Sequence, residues 1–265
     1  MMKYAELMNG QKIAYVEEGA KGGEAIILLH GFCGSSGYWK KVIPMLSETY
    51  HVIAVDLRGH GASFAPDEPY TMERFADDLA QFIDELGLPQ IHLFGHSLGG
   101  YVTLAFAENY ADKLTSFGLI HSTAYPDDEA AKANRDKGAT SIRENGIEPF
   151  IKALVPKLFA KGHVATMPDE VQLAKEIGLS TIPIGAINTL RGMRDRADRT
   201  HVLKETSLPV LLVAGTEDQV IPAEKTFTVE GDNTRQVLLP DVGHMGMLEA
   251  PQELAAAIRA FLTKS

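Results

Sequence analysis

Five short apolar runs recur along the chain: AIILLH (25–30), VIAVD (52–56), IHLFG (91–95), FGLIH (117–121) and VLLVAG (210–215). Their length and continuity predict strands buried on both faces. Between them the period changes to that of helices. In TMERFADDLAQFIDELG, Met72, Phe75, Leu79, Phe82, Ile83 and Leu86 fall on one stripe, with Thr71 placed to cap the start and Gly87 to end it. APQELAAAIRAFLTK repeats the logic with Leu254, Ile258, Phe261 and Leu262, and Pro251 suits a first helical turn. At the N-terminus YAEL and KIAYV flank MNGQ, which predicts a hairpin closed by a tight two-residue turn at Asn9 and Gly10. Strands alternating with helices imply an α/β fold with a mostly parallel sheet covered on both faces.

Residues 122–207 break the rhythm. They are rich in charge and in short helical pieces such as PFIKALVPKLFA, with no strong strand run. The expected organisation is therefore a core of residues 1–121 and 208–265 with a helical insertion, 122–207, emerging as a lid where ligand sites of open α/β sheets gather.

Composition narrows the function classes. A chain of 265 residues with 45% hydrophobic and 23% charged residues has enough apolar side chains for a sizeable core. The net charge of -10 opposes a phosphate backbone or an anionic membrane surface, so nucleic acid is not an expected partner. No segment approaches the roughly 20 apolar residues of a spanning helix, and MMKYAELMNGQ lacks the apolar run of a secretory signal. The expected location is the cytoplasm. A single cysteine, Cys33, excludes an internal disulfide and a thiolate zinc cage.

The chemistry centres on Gly-His-Ser-Leu-Gly (95–99), set between an apolar strand and LGGYVTLAFAENY, a helix hydrophobic on most sides and therefore central. In that setting Ser97 is forced into a tight turn with its oxygen exposed, the arrangement of a nucleophile elbow. A serine needs a base, and the base needs a group to orient it. His96 points elsewhere, towards the sheet or the pocket wall, because adjacent side chains at a strand end diverge. His244, after the apolar QVLLP and before the last helix, sits where catalytic residues of such sheets accumulate. Glu217 and Asp218 follow another buried strand, and either carboxylate can accept from the imidazole. An oxyanion needs donors; the backbone N–H of Leu98 and that of Phe32, in HGFCGSS, are the candidates. His96, His121 and Tyr125 are candidate pocket residues beside Phe32 and Leu98. Cys33 is expected to be a buried small residue, and His30 and His60 to brace their loops.

The ordered motifs HGFCGSS, VIAVDLRGHGAS, GHSLGG, PVLLVAGTEDQVIP and GHMGMLEAPQELAAAI resemble the α/β-hydrolase superfamily over nearly the whole chain, in its cofactor-free, lid-bearing branch of small serine esterases. The resemblance implies Ser97 as nucleophile, His244 as base and Asp218 as acid. It also implies an oxyanion hole of Phe32 and Leu98, and neither cofactor nor metal. Members with the acid after the preceding strand differ, since HSTAY carries no carboxylate there. Ser97 separates the chain from aspartate- and cysteine-nucleophile branches, and HGFCG from H-G-G-G lipases and H-G-G-P-G iminopeptidases. The implied activity is hydrolysis of a small-molecule carboxylic ester through an acyl-enzyme. Two alternatives stay open: carbon–carbon hydrolysis of diketone-type substrates by the same triad, and a slow-turnover ligand receptor on the same fold.

Overall fold

The computed structural model describes residues 1–263. A hairpin of β1 (Lys3–Glu6) and β2 (Lys12–Glu18) precedes β3 (Ala25–Leu29), β4 (His51–Val55), β5 (Ile91–His96), β6 (Leu114–Ile120), β7 (Val210–Gly215) and β8 (Thr234–Leu239). These form one sheet in the order β1-β2-β4-β3-β5-β6-β7-β8. β2 is antiparallel to β1 and β4, and the remaining pairings are parallel. Every side chain of β3, β4, β5 and β7 is buried, as continuous apolar runs predict.

The order places the site. After β3 the chain steps to β4 on one side, whereas β5 and all later strands add on the other, so the crevice between β3 and β5 is the switch point of the sheet. Leu29 pairs with Gly95 across it. The loop after β3 and the turn after β5, which carry Phe32 and Ser97, are therefore neighbours.

The helix Met72–Glu85 starts where expected, with Thr71 Oγ1 accepting from Arg74 N–H at 3.1 Å, and Gly87 beyond its end has φ +64°. The helix Leu98–Asn109 buries every residue from Leu98 to Ala107, consistent with an apolar surface on most sides. The last helix, Pro251–Leu262, buries Leu254, Ile258, Phe261 and Leu262.

Two details differ from the sequence pattern. The hairpin loop is longer than two residues: Leu7 N–H donates to Gln11 O (2.8 Å), leaving Met8, Asn9 and Gly10 outside the ladder, and only Gly10 takes a positive φ. Asn9 is engaged elsewhere. Its Nδ2 donates to Asp78 Oδ1 (2.8 Å), and Asp78 also holds the buried Arg58 through Nε and Nη2 at 2.6 and 2.7 Å. β6 begins three residues before the apolar run, because buried Ser116 is satisfied at 2.8 Å by His92 Nδ1. A polar residue with a partner is tolerated inside a sheet.

Between β6 and β7 the chain makes six helices: Glu129–Asn145, Ile147–Leu158, His163–Thr166, Pro168–Leu179, Pro183–Arg194 and Thr200–Glu205. They lean directly on the sheet domain. A Cβ on Gly192 would lie 1.7 Å from Tyr70 O, so only glycine permits that approach. Buried Arg199 adds hydrogen bonds to Glu108 and Glu73.

Two buried histidines carry a stability consequence. His30 donates from Nδ1 to Gly31 O (2.7 Å) and accepts Leu57 N–H at Nε2 (3.0 Å), bracing the loop after β3. His60 Nδ1 donates to Arg58 O at 3.0 Å, with the two rings 5.1 Å apart. Burial lowers His30 to about 4 and His60 to about 3, the latter helped by its neighbour His30. Both fold as neutral imidazoles, whereas in the unfolded chain they protonate near pH 6.5. Their contribution to stability is complete above that value and is lost as pH falls towards 4 and then 3. Each group then costs about 1.4 kcal/mol per pH unit below the unfolded-state value. Thermal melts should show Tm falling steadily between pH 6.5 and 4; a flat Tm over that range contradicts the neutral assignment.

Candidate active site

Ser97 occupies the turn between β5 and the helix Leu98–Asn109 with φ +51° and ψ -111°, a conformation that side-chain-bearing residues rarely adopt. The surroundings over-determine it. Ser97 N–H donates to Ile120 O (3.0 Å), and Ser122 Oγ donates to Ser97 O (2.7 Å). The flanking glycines permit the close approach. A Cβ on Gly95 would lie 2.1 Å from Gly99 O, and one on Gly99 would lie 2.7 Å from Leu29 O. The side chain of Ser97 opens into a cavity of about 70 Å³ that is also lined by Phe32, Tyr38, His96, Tyr101, Arg135, Leu154, Leu158, Met193, Val220, His244 and Met245.

His244 reaches that cavity from the loop after β8, and Asp218 stands behind it on the turn after β7. Asp218 Oδ2 accepts from His244 Nδ1 at 2.8 Å, and Oδ1 accepts Val220 and Ile221 N–H at 2.8 and 2.9 Å. Burial pushes the Asp218 carboxyl up. The adjoining His244 and His121 and the hydrogen bond from His244 outweigh it and hold the group well below the usual carboxylate range. Asp218 is thus a fixed anion that orients His244 with Nδ1 protonated, leaving Nε2 as the basic nitrogen. Glu217 is exposed.

His96 is no partner of the Ser97 hydroxyl. Its Nε2 donates to His244 O at 2.8 Å, its ring lies 4.9 Å from the His244 ring, and it walls the cavity. Burial, with His244 and His121 nearby, keeps it neutral, well below the usual imidazole range. His121 is fully buried outside the cavity, with Nδ1 3.3 Å from Asp218 Oδ2 but poorly aligned for a hydrogen bond. Tyr125 is 42% exposed and does not line the cavity. The insertion turns at that point, and Arg199 N–H donates to Ala124 O. Cys33 is buried at φ +52° in the turn closed by Gly34 N–H to Gly31 O (3.0 Å), and burial pushes its thiol up, away from thiolate reactivity.

The N–H groups of Phe32 and Leu98 make no hydrogen bond within the protein among the described residues. Leu98 is the first residue of its helix, where N–H groups point outwards with the positive end of the dipole. Among the described residues, His121, Asp218 and His244 are the one set of donors grouped closely enough to hold a metal ion, within 4.8 Å of one another. An ion there would displace the proton linking Asp218 to His244.

Several participants carried no local signal. Tyr38, Tyr101, Met193 and Val220 reach the cavity from four separate segments. Glu249, in the motif after His244, has a fully buried carboxylate. It accepts Met245 N–H at Oε1 (3.0 Å), and Gly243 N–H (3.1 Å), Ala160 N–H (2.8 Å) and His163 Nδ1 (2.8 Å) at Oε2. Its place five residues after the loop histidine His244 is the local trace of this in the sequence.

Comparison with known proteins agrees with this architecture. A thermophilic esterase from Thermogutta terrifontis superimposes with a TM-score of 0.94 at 32% identity, covering 100% of this chain and 98% of that one. In sequence, the 2-hydroxy-6-oxo-6-(2'-aminophenyl)hexa-2,4-dienoic acid hydrolase of Metapseudomonas resinovorans is 26% identical over 265 residues, 96% of this chain and 89% of that protein. The 3-oxoadipate enol-lactonase 2 of Acinetobacter baylyi is 26% identical over 267 residues, 98% and 97% of the two chains. The family model of the alpha/beta hydrolase fold matches residues 24–251, from β3 into the last helix and through every site residue described above. The chain belongs to the α/β-hydrolase fold family.

Proposed function

We propose that the protein hydrolyses small carboxylic esters through an acyl-enzyme on Ser97. The observation that carries this reading is a strained, cavity-facing Ser97 on the same cavity as a histidine whose other nitrogen is held by a buried aspartate at 2.8 Å. Ser97 Oγ attacks the ester carbonyl while His244 Nε2 takes its proton. The developing oxyanion is held by the N–H groups of Leu98 and Phe32, each such donor being worth about 100- to 1000-fold in rate. Imidazolium then protonates the departing alcohol. Water, activated by the same nitrogen, releases the acid.

The helices of residues 122–207 serve as the lid, since Arg135, Leu154, Leu158 and Met193 close the cavity from that side. The small cavity suits a short acyl chain. The similar proteins named above include an esterase, a lactonase and a dienoic acid hydrolase, so the carbonyl chemistry is shared and the bond cleaved is what must be measured. Purified protein is to be assayed on p-nitrophenyl acetate, butyrate and octanoate and on a coloured 2-hydroxy-6-oxo-dienoate. The ester reading expects kcat/KM to be highest for the two short esters. Faster cleavage of the dienoate would transfer the assignment to carbon–carbon hydrolysis.

A further inference from the structure

The cavity wall carries an unbalanced cation. Arg135, on the insertion helix Glu129–Asn145, lines the cavity with Ser97 and His244. Its Nε donates to Asp127 Oδ2 at 3.0 Å, and the other oxygen of Asp127 is taken by Arg196 Nη1 at 2.5 Å. Arg196 is buried, stacks over the Tyr101 ring at 4.0 Å and also donates to Met193 and Tyr125 carbonyls. One carboxylate thus faces two guanidinium groups. Arg196 is held through Nε, Nη1 and the Tyr101 ring, whereas neither Nη group of Arg135 has a protein hydrogen-bond partner among the described residues, and the Arg135 side chain is 26% exposed. A forked donor pair with surplus positive charge, on a wall otherwise rich in apolar side chains, is matched by a carboxylate.

Resting on the ester-hydrolase reading above, we propose that Arg135 forms an anion subsite and that the substrates are esters bearing a second, free carboxylate. A charge-assisted pair of this kind is worth about tenfold to a hundredfold in kcat/KM. The test compares the mono-p-nitrophenyl ester of glutaric acid with its methyl-capped neutral counterpart, and the butyryl ester of 4-hydroxybenzoate with that of its methyl ester. These pairs place the charge on the acyl and the alcohol side respectively. The expected result is a preference for the anion of at least about tenfold in one pair, collapsing towards unity in Arg135→Gln and partly kept in Arg135→Lys. Asp127→Asn, which removes the neutralising charge, should raise it. No preference in the wild type, or a preference unchanged in Arg135→Gln, overturns the subsite while leaving ester hydrolysis standing. Failure to cleave any of the four esters would count against the hydrolase reading instead.

A separate set of hydrogen bonds carries a second proposal. Glu249 receives the N–H groups on both sides of His244, from Gly243 and Met245, and with the same carboxylate receives Ala160 N–H and His163 from the insertion. His244 N–H itself donates to Leu158 O at 2.7 Å. The geometry points to Glu249 as a positioning residue that locks the His244 loop to the insertion. A carboxylate offers only acceptors to these four donors; in Glu249→Gln an amide NH₂ must face a donor, and the loop shifts. A displacement of about 1 Å at a catalytic group is enough for a hundredfold loss. Glu249→Gln should therefore lower kcat for p-nitrophenyl butyrate about ten- to a hundredfold with KM little changed. His163→Ala, which removes a partly exposed donor and spares the fold, should lower kcat about threefold or more, again without a matching rise in KM. Wild-type kcat in His163→Ala, or in a Glu249→Gln protein that melts normally, overturns the proposal.

Discussion

Ser97→Ala is expected to lower kcat for p-nitrophenyl butyrate by about 10⁵- to 10⁶-fold, to a residue of turnover supplied by the oxyanion donors and binding alone. The expectation follows from where the hydroxyl sits. Among the other cavity-wall side chains, Tyr38 and Tyr101 carry phenol oxygens, with burial pushing the Tyr38 phenol up, and Cys33 is buried in the neighbouring turn. The variant should melt near the wild-type temperature, because alanine keeps the same backbone strain at φ +51°. Ser97→Gly separates strain from chemistry. It should be equally inactive yet more stable by about 1–3 kcal/mol, the usual cost of holding a residue with a side chain in such a conformation. Steady-state kinetics and a thermal melt check both; a Ser97→Ala protein with more than a hundredth of wild-type turnover would remove the serine from its role.

Asp218→Asn is expected to lower kcat by about 10⁴-fold, with much less effect on KM. The change keeps an oxygen able to accept the Val220 and Ile221 N–H groups, now at 2.8 and 2.9 Å, so the turn can survive. What it replaces is the anion facing His244 Nδ1. An amide NH₂ there favours the imidazole with its proton on Nε2, the nitrogen that must accept from Ser97, and no negative charge remains to stabilise imidazolium. His121, at 3.3 Å from the same carboxylate oxygen, is a neutral imidazole and supplies no replacement charge. Glu217→Gln is the control. That neighbour is exposed, and its replacement should leave kcat unchanged.

The sheet was legible because its inner strands are buried on both faces, and a run such as Ala25–Leu29 then has no polar position to obscure it. Edges were harder. β8 alternates, with Leu239 buried while Leu238 is half exposed, and β6 hides its first turn of pleat behind the hydrogen-bonded Ser116. Site candidates were legible where chemistry is tied to a local shape: the glycines around Ser97 and the strand ends before Asp218 and His244. The structure brings those three side chains together. Tyr125 had only its position after β6 to recommend it, and the insertion turns it to solvent. His121 has the same origin but is drawn beneath Asp218, with its backbone N–H held by Val213 O at 2.8 Å. The cavity wall was not legible, because Arg135, Leu154 and Met193 meet Ser97 only through the packing of three insertion helices. The two arginines that share Asp127, 8 and 69 residues from it in the chain, and the two insertion donors to Glu249, 86 and 89 residues from it, are likewise matters of tertiary contact.

The central claim, that Ser97 becomes acylated, is tested most directly by trapping. Treatment with diethyl p-nitrophenyl phosphate, followed by intact-mass measurement and peptide mapping, should give one phosphoryl group per chain, on the peptide holding Ser97, with loss of activity in step with labelling. Ser97→Ala should take up none. A labelled protein that keeps its turnover of p-nitrophenyl butyrate, or a stoichiometric adduct on any other residue, would contradict the account.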